Sequence, residues 1–225
     1  MNADRIIVLE NEHGNIESSL QFVLQKQICR SARILDIGCR YGSLIYNLFR
    51  QGYHHVFGFD VSAKTIERGK QAYRDISGNL ATYDGKELPY EDESFDVILM
   101  FDVIEHIPAV DRYLKNEVYR VLKKGGLLLF QTPNKYINIP WEIWSRRSLI
   151  GWKRNHCSLQ TRRSLKQLLL AAGFSRVALE KHTILTDHNR TKVQKHLGKP
   201  GLLLLHLFAA APFSLYPNFW GTAVK

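Results

Sequence analysis

Apolar runs alternate along the chain with segments whose apolar residues recur at helical spacing, the pattern of a sheet covered by helices on both faces. That pattern predicts a leading helix over residues 16–29, a strand over 32–37 (ARILDI), a helix over 42–50, a strand over 55–60 (HVFGFD) and a helix over 63–73. Asp60 and Ser62 fall where a strand end and a helix N-cap belong. A short strand at 80–83 follows, then a strand at 95–101 (FDVILMF), a helix at 110–122, and a strand at 127–132 entered through Gly125 and Gly126. A helix over 161–172 is stopped by Gly173, and residues 176–182 and 219–224 read as the closing strands. If those two pair as an antiparallel edge, residues 183–218 form a long insertion between them.

Two segments break the alternation. Residues 136–159 are rich in Trp and Arg, and residues 189–217 are basic and then apolar. Loops of that length without core periodicity are more often binding elements than linkers. The 225 residues, 45% hydrophobic and 23% charged, exclude a disordered or collagen-like chain and suit one domain over residues 1–225. Cys29, Cys39 and Cys157 form no CxxC pair, which argues against a zinc site and a disulfide framework and points to a reducing cytoplasm. The first residues lack the basic, apolar and small-residue order of a signal peptide. Charge is uneven: residues 1–100 hold 11 Lys/Arg against 14 Asp/Glu, and residues 101–225 hold 20 against 7. The second half therefore seeks anions such as nucleic acid, a membrane face or a phosphorylated substrate, unless it is simply a solvated basic face.

The segment ILDIGCRYGSL places Asp36, Gly38 and Gly42 at the junction of the first strand and first helix, where an open α/β sheet presents backbone N–H groups to a ligand. The two glycines permit a tight turn and close approach, and the following helix offers its positive end. The spacing is neither GxGxxG nor GxxxxGK[ST], so pyrophosphate binding is disfavoured. Asp60, 18 positions beyond Gly42, is placed to accept from both hydroxyls of a ribose, or else to cap the next helix.

Together, ILDIGCRYG, FGFDVS, YDGKELPYEDESFDVILMFDVIEHI and VLKKGGLLLFQTPN resemble the class I S-adenosylmethionine-dependent methyltransferases. Within that family they are most similar to the branch holding the ubiquinone-biosynthesis O-methyltransferases and other small-molecule enzymes. The resemblance implies a Rossmann-like α/β fold with a seven-stranded, mostly parallel sheet, an antiparallel last strand and helices on both faces. It implies that Asp36, Gly38 and Gly42 hold the amino-acid end of S-adenosylmethionine, that Asp60 holds the ribose, that Asp84 with Gly85 meets the adenine, and that Phe101 lines the cofactor. Read from chemistry alone, Asp84 is equally a turn residue after the third strand. The family usually carries glycine where this chain has Arg40, so Arg40 must avoid positive φ or carry about 1 kcal/mol of strain.

The sulfonium methyl is already activated, so the main requirement is to hold an acceptor in line with it. Asp102, Glu105 and His106, in FDVIEHI, follow the fourth strand at the ligand-binding edge. The resemblance implies that an acid-x-x-Glu-His pattern here sometimes binds a divalent cation such as Mg²⁺, with Asp102, Glu105 and His106 as ligands. The companion reading makes His106, with Asp102, the group that takes an acceptor proton, and His156 a second candidate base. Both histidines also have structural readings, His106 bonded to backbone and His156 in packing.

In this family the acceptor lid often lies where residues 136–159 stand. Trp141, Trp144 and Trp152 alternate there with Arg146, Arg147, Lys153 and Arg154, which suits an aromatic or isoprenoid acceptor, an anionic headgroup or stacked bases, besides plain packing. Arg190, Lys192, Lys195 and Lys199 precede the apolar run 202–211, which is too short to span a bilayer but suits its surface. Peripheral association through residues 189–213, at the inner membrane face, competes with a buried helix or a dimer contact. The expected function is S-adenosylmethionine-dependent methylation, at oxygen, of a small-molecule or lipid- or glycan-linked acceptor. A non-catalytic cofactor-binding protein and an RNA or DNA methyltransferase are the alternatives; the latter is disfavoured because no nucleic-acid motif or module accompanies the fold.

Overall fold

Alternate residues of the central strands feed two separate apolar layers. Leu35 and Ile37 of β1 (Ile34–Ile37) pack into one core with Ile98 and Met100 of β4 (Phe95–Phe101) and Leu128 and Phe130 of β5 (Leu122–Pro133). Ile34, Val97, Leu99 and Leu129, one residue out of step, belong to the other. The period-two alternation of strand side chains thus requires cover on both faces. The first core is closed by α4 (Val110–Tyr113), the π-helical turn Leu114–Val118, α5 (Tyr119–Val121) and α7 (Arg162–Ala171). The second is closed by α1 (Ile16–Gln25), α2 (Ser43–Arg50) and α3 (Ala63–Ala72). The computed structural model describes residues 6–9, 15–154, 156–185, 187–210 and 216–225, without the side chains of Arg146, Arg154, Asp187, His188 and Lys192.

With β2 (Val56–Asp60), β3 (Leu80–Thr82), β6 (Arg176–Glu180) and β7 (Asn218–Val224), the sheet has seven strands in the order β3-β2-β1-β4-β5-β7-β6. β7 runs antiparallel to both its neighbours, and the pairs among β1–β5 are parallel. Chain order reverses between β1 and β4, so the adjoining loops diverge and leave a crevice at the carboxyl ends of these strands. The seven-stranded α/β sheet with one antiparallel strand is the expected fold.

Several boundaries differ from the sequence pattern for local reasons. The leading helix stops at Gln25 because Lys26 caps it and Gln27 turns left-handed (φ 50). β5 begins at Leu122, and a register shift opposite Phe95 and Val97 absorbs the extra residues around Gly125 (φ 75). Residues 136–159 do not form an irregular loop: α6 (Lys135–Arg146) runs through Pro140 and is followed by a 3₁₀ turn over Gly151–Arg154. The insertion before β7 carries α8 (Asp187–Ala210), broken at Gly198 (φ 61, ψ −154) two residues before Pro200. Among the described residues no helix is long and apolar enough to cross a membrane. Residues 211–213, the end of the expected membrane-associating stretch, lie outside the described residues, as does the Lys192 side chain.

Candidate functional site

The crevice at the carboxyl ends of β1, β2 and β4 opens into a cavity of about 1400 Å³. Asp36, Gly38, Arg40, Asp60, Gly85 and Phe101 contribute to one part of its wall. Asp102, Glu105, His106 and His156 contribute to another, and Asn189, Thr191, Lys195 and His196 of α8 also border it.

The turn after β1 owes its shape to backbone chemistry. Gly38 N–H and Cys39 N–H both donate to the Phe59 carbonyl, at 2.7 and 3.0 Å, which ties the turn to β2. Gly38 has φ +77, and a Cβ there would stand 2.5 Å from Val103 Cγ2, so only glycine fits without displacing Val103. Gly42 also meets a packing requirement. It is absent from the cavity wall, and its φ of +83 starts α2 while a Cβ would meet Leu80 Cδ2 at 2.7 Å. Its contribution is to let Leu80 pack beneath the turn.

Arg40 takes the left-handed conformation that an L side chain disfavours (φ 53). The expected alternative, a turn without positive φ, is therefore not adopted; the Arg40 N–H instead donates to Asp60 Oδ2 at 2.9 Å, which holds the residue in place. The other Asp60 oxygen accepts from Ser62 N–H at 2.8 Å. Ser62 itself is the N-cap of α3, accepting from Thr65 N–H, so Asp60 is not that cap. Each carboxylate oxygen can accept more than one hydrogen bond, which suits Asp60 to a pair of adjacent hydroxyls. The bond from position 40 to Asp60 is made through the main chain. Arg40→Gly is therefore expected to shift stability by less than about 1 kcal/mol, relief of strain being offset by greater unfolded-state freedom, and to leave ligand affinity within about twofold by calorimetry.

Asp36 is buried at the cavity, Gly85 (φ +79) borders it beside Val61, and Phe101 lines it against Phe22 and Trp220. Asp84 is held by its own turn. Its carboxylate accepts from Lys86 N–H (2.8 Å) and Glu87 N–H (3.2 Å), which hold its pKa below the usual range, and it is absent from the cavity wall. Tyr83 and Gly85, on either side, face the cavity instead. Val61, Tyr83, Gln131 and Trp220 are wall residues that the sequence reading did not single out. For Val61 and Tyr83 the signal was available, since each directly follows a strand that ends at the crevice.

At the far wall Glu105 is 1% exposed. Its Oε2 accepts from Thr132 Oγ1 at 2.9 Å, and burial, followed by the negative charge of Asp102, pushes its pKa up to about 8. Its carbonyl accepts from Ser158 N–H at 3.0 Å, which straps the segment after the 3₁₀ turn onto this loop. That strap brings the His156 ring to 5.1 Å from the His106 ring. His156 Nδ1 is 3.1 Å from Asn138 Oδ1 of α6, and His106 Nε2 is 3.9 Å from Glu105 Oε1.

Donor atoms of Glu105, His106 and His156 lie within 4.8 Å of one another. Asp102, expected as a ligand with Glu105 and His106, is outside this group among the described residues; it lies at the end of β4 with φ 55. Two imidazoles and a single carboxyl do not fit Mg²⁺, which prefers oxygen donors.

The chain matches the family described as a methyltransferase domain over residues 8–179. It is 33% identical over 114 residues to a ubiquinone biosynthesis O-methyltransferase of Bartonella tribocorum, a match covering 50% of this chain and 45% of that protein. It is also 33% identical over 122 residues to a demethylmenaquinone methyltransferase of Lactobacillus johnsonii, covering 49% of each. The chain thus spans about half the length of the curated relatives it matches. Among solved structures, an S-adenosylmethionine-dependent methyltransferase of Mesorhizobium loti superposes with a TM-score of 0.66 at 18% identity, covering 94% of this chain and 100% of that one. At that identity the likeness shows the fold.

Proposed function

The chain belongs to the methyltransferase-domain family, and we propose that it transfers a methyl group from S-adenosylmethionine to the oxygen of a small or lipid-linked acceptor. The observation that carries this reading is the Asp60 carboxylate, fixed by two backbone N–H groups at the end of β2 and facing a cavity that continues to a pair of histidines. Two adjacent acceptor oxygens suit a ribose diol. S-Adenosylmethionine supplies, when bound, a methyl group already activated on a sulfonium.

The protein's own contribution is placement. Asp36 and the bare backbone at Gly38 suit the cofactor's amino-acid end, Gly85 and Tyr83 its base, and Phe101 its apolar edge. His106 and His156, side by side on the cavity wall, are the groups to take the proton of an acceptor hydroxyl, as a neutral imidazole can. Glu105, buried and bonded to Thr132, anchors the turn that carries His106. The oxygen preference draws on the likeness to the ubiquinone biosynthesis O-methyltransferase of Bartonella tribocorum.

The test is a calorimetric titration of S-adenosylmethionine into wild type and Asp60→Ala. Saturable binding by wild type, weakened at least tenfold or about 1.4 kcal/mol in the variant, is the expected result. Absence of binding by folded wild type, or equal affinity in both, would discard the reading.

A further inference from the structure

α8 carries more apolar surface than the described residues cover. One narrow stripe packs inward: Leu205 is buried with Ile184 and Tyr216, and Val193 and Ala209 pack against that cluster. Leu203, Leu204, Leu207 and Phe208 are 65%, 46%, 59% and 39% exposed. At about 100° per residue these four fall within one face of a helix. Of twelve exposed large hydrophobic side chains among the described residues, these four and four more on α6 and the turn after it, including Trp144 and Leu149, make eight. The exposed apolar surface is therefore concentrated on two segments instead of scattered singly. α6 and α8 also meet, with the Trp141 and His196 rings 6.0 Å apart.

The charge of α8 points to one kind of partner. Arg190, Lys195 and Lys199 are exposed on the stretch preceding the apolar turns, and no acidic residue occurs from position 188 to the end of the sequence. A second copy of this chain would bring the same positive charge against itself, whereas anionic headgroups above an apolar layer match both features at once. Trp144 on the neighbouring helix suits the same polar–apolar boundary. The first half of this helix also borders the cavity through Asn189, Thr191, Lys195 and His196.

We propose that α8 lays its exposed apolar face into the surface of a bilayer containing anionic lipid, and that the cavity thereby takes an amphipathic acceptor resident in that bilayer. The docking part stands without the methyl-transfer reading; the naming of the acceptor rests on it. The kink at Gly198 separates the half that borders the cavity from the half that enters the lipid.

Co-sedimentation of the full chain with vesicles of phosphatidylcholine and phosphatidylglycerol, against phosphatidylcholine alone, tests the docking. Wild type is expected in the pellet with the anionic vesicles and largely in the supernatant with the neutral ones. Leu203→Glu with Leu207→Glu should weaken binding at least tenfold, Arg190→Glu with Lys199→Glu at least fivefold, and Leu170→Glu, at an exposed site on α7, should leave it unchanged. Calorimetry with S-adenosylmethionine on the leucine pair keeps the two readings apart: unchanged cofactor affinity with lost vesicle binding supports docking. Wild type that ignores anionic vesicles, or a leucine pair that binds them as well as wild type, overturns it. A dimer in light scattering that the leucine pair converts to monomer, with no vesicle binding by wild type, overturns it in favour of self-association.

Discussion

Alanine at position 69 is expected to destabilise the protein by about 1–2 kcal/mol and to weaken S-adenosylmethionine binding severalfold, although Gly69 borders no part of the cavity. Gly69 sits inside α3, where replacing glycine by alanine ordinarily gains about 1 kcal/mol of helix propensity. Here the new Cβ would stand 2.1 Å from the Tyr41 carbonyl oxygen and 2.8 Å from its carbon. These are backbone atoms, which cannot swing aside as a side chain can. Overpacking costs about 1–3 kcal/mol, and a contact this short with backbone falls at about 2–3, which outweighs the gain. Tyr41 lies between Arg40, whose N–H orients Asp60, and Gly42, which starts α2. A shift of α3 or of Tyr41 therefore disturbs the ribose carboxylate. Gly78, whose Cβ would meet nothing within 4 Å, provides the control. Urea denaturation should show Gly78→Ala within about 0.5 kcal/mol of wild type, and Gly69→Ala equal to it would mean that α3 does not press on the turn.

Glu105→Gln is expected to stabilise the protein progressively as pH rises toward 8. In the folded chain the carboxyl keeps its proton up to about pH 8, against an ordinary value of 4.5. Between those values the native state holds a proton that the unfolded chain has released, so wild-type stability falls with rising pH by about 1.4 kcal/mol per unit from this group. Below the unfolded pKa the contribution is fully present, and it is lost as pH passes through the folded one. Glutamine retains an oxygen to accept from Thr132 Oγ1 and never ionises. The two proteins should therefore match near pH 4.5 and diverge above it, in denaturation curves recorded with a chelator present. Parallel stability profiles across this range would show that Glu105 is ionised in the native protein and that its burial is relieved in some way the cavity geometry does not show.

The elements of the sheet and the turn that carries Gly38 were legible because their causes are local. Alternation in FDVILMF and LLLFQT reports burial on two faces of a strand, and the glycines of ILDIGCRYG report a turn that other residues resist. The same locality explains the errors. α6 contains Pro140 and many aromatic and charged residues, so its helix was hidden from a periodicity argument and became visible only through its capping by Asn134 and its packing. Gly42 and Gly38 look equivalent in sequence, yet one faces Leu80 and the other the cavity.

By itself the sequence determined the succession of strands and of the helices that cover the sheet, the carboxyl-edge turn, the Asp60 position and the imbalance of charge toward the second half. Only the tertiary structure decided which of the candidate groups meet. His156 joins His106 across 50 positions because Ser158 N–H finds the Glu105 carbonyl, while the Asp84 carboxylate takes up the two backbone N–H groups two and three residues on. The physical reason is the same in both cases. Backbone sterics and burial periodicity act over a few residues and leave a mark in the sequence, whereas a polar group's direction depends on which partner the completed fold brings within hydrogen-bond distance.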